Sequence, residues 1–317
     1  GYTSLMAITT AAGNTAIGYA AGDSITTSGY NALLGYQAGA GLAGGSGTNV
    51  AIGYQPLYNG TANSYVVAIG SRAGYYSTAN NNVYVGANAG RESRDGGSQT
   101  YIGNSAGYYA TGSYNTFVGQ DAGKGGTTSA PFSSGQRNTA IGYSAMGAFT
   151  TGNNNVVIGY EAGDDMTSAG GTVLIGYEAG SKLTTSGEGV FIGEYAGQNS
   201  TNGTNVLIGA RAGRGNTANP IGLYCIAIGY MAMQTPVGNS NIAIGYQAMK
   251  DTDAGTNSDA SQNNIAIGFQ SMGGTWADVQ SNYNVAIGDY SMDAALNGAL
   301  NNTALGHYTL SSLTTGD

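Results

Sequence analysis

The sequence has one cysteine, one histidine and one tryptophan in 317 residues, and only 8% of it is charged. A single thiol, Cys225, excludes an intrachain disulfide framework and leaves the redox compartment open. A single imidazole, His307, excludes most catalytic triads and histidine-rich zinc sites within one chain. Lysine and arginine total 9 against 17 acidic residues, with no basic run, so the clustered cations that displace counterions from nucleic acid are missing. The longest apolar stretches are a few residues, too short for a membrane-spanning helix. Proline is scarce at 4, whereas glycine (56) and tyrosine (24) abound. The glycines follow no three-residue period, and a 41% hydrophobic fraction spread evenly along the chain is too high for disorder. Such a composition belongs to a chain that folds repetitively.

The repeat is visible in NNNVVIGYEAGDD from Asn153 and GTVLIGYEAGSK from Gly171. Anchoring each unit on the glycine after the apolar triplet gives Gly18, Gly35, Gly53, Gly70, Gly86, Gly103, Gly119, Gly142, Gly159, Gly176, Gly193, Gly209, Gly229, Gly245, Gly268, Gly288 and Gly306. Most intervals are about 16 to 18 residues, the length of a β-solenoid coil rather than of a helical repeat. The residue before each anchor is Ile, Val or Leu, and the residue three before it is β-branched everywhere except Ala32. Alternate positions share one face of a strand, so these two columns make a β-branched stripe.

The column two before the anchor alternates between Ala and large residues, and it does so in step with the residue four after the anchor. Where Leu57, Met146, Met233, Met249, Met272, Met292 or Leu310 fills the later position, the earlier one is Ala. Where the later position is Gly, the earlier one is usually large, with Ala16 and Ala68 as exceptions. Cores tolerate swaps that conserve volume, so the two side chains are expected to share one compartment, with the chain turning between them. The anchor Gly supplies the turn. The following piece, as in Tyr177-Glu178-Ala179-Gly180, reads as a second short strand, and a Thr/Ser/Gly/Asn-rich return loop follows. Asn opens most units, either as a turn residue that tolerates the left-handed region or as a rung of an amide ladder between stacked coils.

These columns define an all-β, repetitive β-solenoid of about 17 coils, residues 1–317 forming a single repeat domain. A coil of this size encloses little, and the outer aliphatic stripe needs cover from elsewhere. An obligate homo-oligomer is therefore expected, most simply a homotrimer. At about 4.8 Å per coil the stack would be a rod of roughly 80 Å. Because no Met opens the chain and its last residues SSLTTGD stop in mid-unit, the sequence is expected to be a piece of a longer fibre protein.

Asn138-Thr139-Ala140-Ile141-Gly142-Tyr143-Ser144-Ala145-Met146 and Asn241-Ile242-Ala243-Ile244-Gly245-Tyr246-Gln247-Ala248-Met249 resemble the YadA-like head repeats of trimeric autotransporter adhesins. They are similar, at least as closely, to the NTAIGYxA repeats of bacteriophage tail fibre proteins. The resemblance covers essentially the whole chain. It implies a left-handed parallel β-roll assembled as a trimer, working as a shaft or adhesive head outside the cell or on a virion surface. The tyrosine after the anchor departs from the adhesin heads and favours the phage-fibre side.

Several residues are candidates for more than scaffolding. The tyrosines after the anchors, including Tyr143, Tyr160 and Tyr177, could offer ring faces to sugars or form a packing ladder. The enlarged loops hold Phe132 beside Pro131 and the sole tryptophan, Trp276, the first choice for a receptor contact unless it caps the roll. Asp251, Asp253 and Asp259 place oxygens at alternate positions, as a calcium loop does, although the acids an EF-hand wants at Gly255 and Gln262 are missing; a solvated polar loop is the alternative. No other cofactor is expected. His307 reads as a surface imidazole and Cys225 as a buried thiol. The expected role is a structural and adhesive fibre segment, not an enzyme, contacting a host glycan or envelope protein without entering the membrane. A self-assembling extracellular filament subunit is the first alternative. A fibre-borne glycan depolymerase using Glu161, Asp164, Asp165 and Glu178 is the last.

Overall fold

In a computed structural model, residues 1–61, 63–130, 132–216, 220–235, 238–251 and 260–316 are described. The described residues contain seventeen three-residue strands and no α-helix. Contacts divide the chain into two compact units, one of residues 1–158 and 166–168, the other of 159–165 and 169–317. The first unit holds Thr15–Ile17 (β1), Ala32–Leu34 (β2), Val50–Ile52 (β3), Val67–Ile69 (β4), Val83–Val85 (β5), Thr100–Ile102 (β6), Thr116–Val118 (β7), Thr139–Ile141 (β8) and Val156–Ile158 (β9). The second holds Val173–Ile175 (β10), Val190–Ile192 (β11), Val206–Ile208 (β12), Ile226–Ile228 (β13), Ile242–Ile244 (β14), Ile265–Ile267 (β15), Val285–Ile287 (β16) and Thr303–Leu305 (β17).

Within each unit the strand of one coil pairs in parallel with the strand of the next, residue for residue. Thr100, Tyr101 and Ile102 face Thr116, Phe117 and Val118; Val173, Leu174 and Ile175 face Val190, Phe191 and Ile192. This register stacks every column of the repeat on itself, which is the parallel β-solenoid the spacing predicts. The anchor glycine closes the strand: Gly103 N–H donates to Val85 O of the preceding coil at 2.7 Å and Gly193 N–H to Ile175 O at 2.7 Å.

The middle residue of each strand points into the coil. Leu33, Tyr84, Tyr101, Phe117, Leu174, Phe191 and Leu207 are buried there, as are Met146, Met233, Met249, Met272 and Met292. A Cβ added at Gly107 would lie 2.4 Å from the Tyr101 ring, and one at Gly123 2.4 Å from the Phe117 ring, so large side chain and Gly do share one compartment. The two exceptions are filled by other interior side chains. Above Gly22, beside Ala16, sit Leu33 and Ile25; above Gly74, beside Ala68, sit Tyr84 and Leu57. Ala140→Leu with Met146 kept is expected to cost about 1–3 kcal/mol by overfilling, and adding Met146→Gly should recover most of it. Urea titrations of both variants measure that coupling.

A third interior column was not foreseen. It lies in the return loop and is formed by Ile25, Leu42, Phe149, Met166, Leu183, Trp276 and Leu296, all buried. Where the core residue is the long Tyr84, this column turns polar to meet its hydroxyl, which bonds Ser93 at 3.1 Å, Ser77 at 3.3 Å and Gln99 Oε1 at 3.0 Å. Burial pushes the Tyr84 hydroxyl up to about 12, so it stays protonated.

The piece after the anchor is a run of turns, not the second strand expected. Glu178 has φ +49° and Gly180 φ +58°, and such alternation of left-handed residues cannot extend. Its amides still bond to neighbouring coils, as Gly180 N–H does to Ala196 O at 2.9 Å. The Asn column is the ladder: Asn264 Nδ2 donates to Asn241 Oδ1 at 3.1 Å and to Ser281 O at 2.8 Å, while its own Oδ1 accepts from Asn284 N–H and Nδ2 at 3.0 and 3.1 Å. The left-handed turn residue is the one before it, as at Asn263 and Tyr283. Asn264→Leu would leave buried donors and an acceptor unmatched, an expected loss of about 3 kcal/mol or more. Hydrogen exchange at the Asn284 amide should report it first.

Candidate functional site

Each strand turns only its middle residue inward; the two flanking residues, mostly β-branched, look outward. The outer columns are half-buried to exposed along both units, from Ile69, Ile102 and Ile141 in the first to Ile228 and Ile287 in the second. Two residues before the stripe, exposed tyrosines occupy the left-handed position: Tyr30, Tyr65 and Tyr114 in the first unit, Tyr224 and Tyr283 in the second. They border the stripe directly, since Tyr114, Arg137 and the stripe residue Thr139 line one shallow cleft. The outcome in each unit is a long aliphatic strip edged by aromatic rings.

The tyrosines after the anchors are exposed, but their faces are taken. Tyr2, Tyr19, Tyr36 and Tyr54 stack at 5.3–5.8 Å with near-parallel planes in the first unit. In the second, Tyr160 stacks on Tyr177 at 5.2 Å, Tyr195 meets Tyr177 edge-on at 5.2 Å, and Tyr230, Tyr246 and Phe269 form another stack. Ring edges and hydroxyls face solvent, a geometry of packing rather than of sugar stacking. Tyr143 is exposed in the first unit. The Tyr177 hydroxyl is held protonated, pushed up to about 12 chiefly by its hydrogen bond with Glu178.

Trp276 corrects the expectation of a receptor contact. It is 0% exposed, and its indole N–H donates to Met272 O at 3.3 Å, so it fills the third interior column instead of presenting a surface. Phe132 is half-buried, stacked on Tyr109 at 5.9 Å with the Arg94 guanidinium 5.5 Å from its centroid. It belongs to a cluster that sequence reasoning missed. Tyr58, Tyr75, Tyr76, Tyr108 and Tyr109 gather around Arg91 and Arg94, with Glu92 pairing Arg94 at 3.0 Å and Arg91 at 3.6 Å. The signal was present: Tyr75-Tyr76, Arg91-Glu92 and Tyr108-Tyr109 recur at one offset from Gly70, Gly86 and Gly103.

Of the calcium candidates, Asp253 and Asp259 lie outside the described residues. Asp251 pairs with Lys250 at 3.6 Å, and its backbone oxygen accepts from Trp276 N–H. Among the described residues no group of three or more His, Cys, Asp or Glu could hold a metal ion. His307 is exposed and lies edge-on to Tyr308 at 4.2 Å. Cys225 replaces Asn in the ladder: its N–H takes Asn205 Oδ1 at 2.8 Å, its thiol points at Gly238 O at 3.3 Å, and burial pushes it up to about 11. In the carboxylate group, Lys182 neutralises Asp165 at 2.9 Å and Gln198 donates to Glu178. Burial, then the Asp165 charge, raises the Asp164 carboxyl from its ordinary value. No described helix is long and apolar enough to cross a membrane.

Comparison with known families, with characterised proteins and with solved structures gives no match to this chain.

Proposed function

We propose that this chain is a structural and adhesive segment of a trimeric fibre, three copies of a left-handed β-roll closing around a common axis and presenting their loops to a host surface. The observation that carries this reading is the outward aliphatic strip. Soluble single chains rarely leave a continuous apolar patch of such length uncovered, and a closed three-fold arrangement of identical strips covers it with no free copy of the interface. The rims of exposed tyrosine match the composition favoured at protein interfaces. The NTAIGYxA-type repeats add a resemblance to phage fibres. An image of the assembled particle by electron microscopy tests the reading. Three lobes in cross-section support it, a single solenoid refutes it, and threads of indefinite length would favour the filament subunit instead.

A further inference from the structure

We infer that the cleft between the return loops of the first unit is a binding site for an uncharged pyranose of a surface glycan, with Phe132 and Ala130 as its apolar wall and Arg94 and Asp95 as its polar one. The inference deepens the attachment role proposed above and rests on it.

The cleft has a volume of about 480 Å³ and is lined by Arg94, Asp95, Thr111, Ala130, Phe132 and Ser134. These come from three successive return loops: the one after β5, the one after β6, and the enlarged one after β7. A volume of this order admits one or two sugar rings. The lining suits a sugar in kind. A pyranose has an apolar face of C–H groups and a rim of hydroxyls that both donate and accept. Ala130 and the edge of the Phe132 ring, whose faces already meet Tyr109 and Arg94, match the first; Thr111 and Ser134 hydroxyls, the Asp95 carboxylate and the Arg94 guanidinium match the second.

Charge decides which sugar. Five of the nine lysines and arginines lie between Arg72 and Arg137, which could suggest an acidic ligand. Yet Arg94 and Arg91 are both committed to Glu92, Lys124 is committed to Asp121 at 3.1 Å, and Asp95 adds a negative charge to the cleft itself. An anionic sugar would meet Asp95 with no free cation to offset it. A neutral one gains a strong acceptor at Asp95 and a donor at Arg94, whose guanidinium is already fixed between the Tyr76 ring at 4.6 Å and the Phe132 ring at 5.5 Å. Little ordering of the side chain then remains for binding.

The test exposes the full chain to immobilised neutral hexasaccharides of glucose, mannose and galactose, alongside a sialylated oligosaccharide and a heparin-derived hexasaccharide, followed by calorimetry on whichever is retained. The expected result is retention of a neutral hexasaccharide, with affinity nearly constant from 50 to 500 mM NaCl and reduced at least about tenfold by Asp95→Asn and by Phe132→Ala. Circular dichroism melts of both variants guard against misfolding, and Asp95→Asn, a near-isosteric change, keeps the test valid if Phe132→Ala melts early. Retention of only the acidic sugars, retention of none, or a neutral affinity untouched by Asp95→Asn would each overturn the assignment. Trimeric particles that retain no sugar would remove this site alone, whereas solitary solenoids would remove the attachment reading as well.

Discussion

Gly176→Ala is expected to lower unfolding free energy by about 4 kcal/mol or more. Gly176 has φ +139°, a conformation L residues rarely adopt. Its added Cβ would sit 2.4 Å from the carbonyl oxygen and 2.6 Å from the carbonyl carbon of Gly193 in the next coil. Neither partner is a side chain that can swing aside. Relief would require the two coils to separate, breaking the bond from Gly193 N–H to Ile175 O. The same geometry holds at Gly103, whose Cβ would lie 2.3 Å from Gly119 O, so the effect belongs to the column. Gly44→Ala is the control: nothing lies within 4 Å of its Cβ, and a change within about 0.5 kcal/mol is expected. Urea unfolding monitored by circular dichroism, with hydrogen exchange at the Gly193 amide, separates the two. A Gly176→Ala chain as stable as the parent would mean that the coils are not stacked this closely.

Ile102→Asp, Val118→Asp and Ile141→Asp together are expected to dissolve the assembly and leave the coil intact. These residues flank the inward Tyr101, Phe117 and Ala140 and point away from the interior, so the substitutions place no charge within the core. In the proposed trimer each would recur three times about the axis, and removing carboxylates from water beside like charges is strongly unfavourable. Native mass should fall from about 95 kDa, three times the chain mass of 31.7 kDa, to the chain mass itself, with an unchanged circular dichroism spectrum. Phe117→Asp, one residue from Val118 but inward, should instead unfold the surrounding coils. If the triple variant keeps the parent's mass, the strip is not the interface.

The architecture was legible because stacking forces the same side-chain type to recur at the same offset. The inner column, where Tyr101, Phe117 and Ala140 trade volume with Gly107, Gly123 and Met146, records a three-dimensional contact in one dimension. The turns were less legible. Glu178 and Gln37 adopt left-handed φ values, yet neither residue type signals that conformation, and a strand was read where the chain coils tightly. The third interior column escaped because it ranges from Ser77 and Ser93 to Phe149 and Trp276 within loops of unequal length. Trp276 misled for a related reason: rarity and loop placement suggested exposure, whereas the longer loop returns inward to fill the coil. The cluster around Arg91 and Arg94 joins residues from several coils, and only the coil-to-coil register reveals that they meet.

The most direct measurement of the account is the native mass of the unmodified chain at micromolar concentration, by sedimentation equilibrium or light scattering. One species of about 95 kDa is expected, three chains of 31.7 kDa with their aliphatic strips enclosed. A single species of 31.7 kDa, with amides such as Gly103 and Gly193 still protected from exchange, would show a stable lone solenoid with that strip in water and would contradict it.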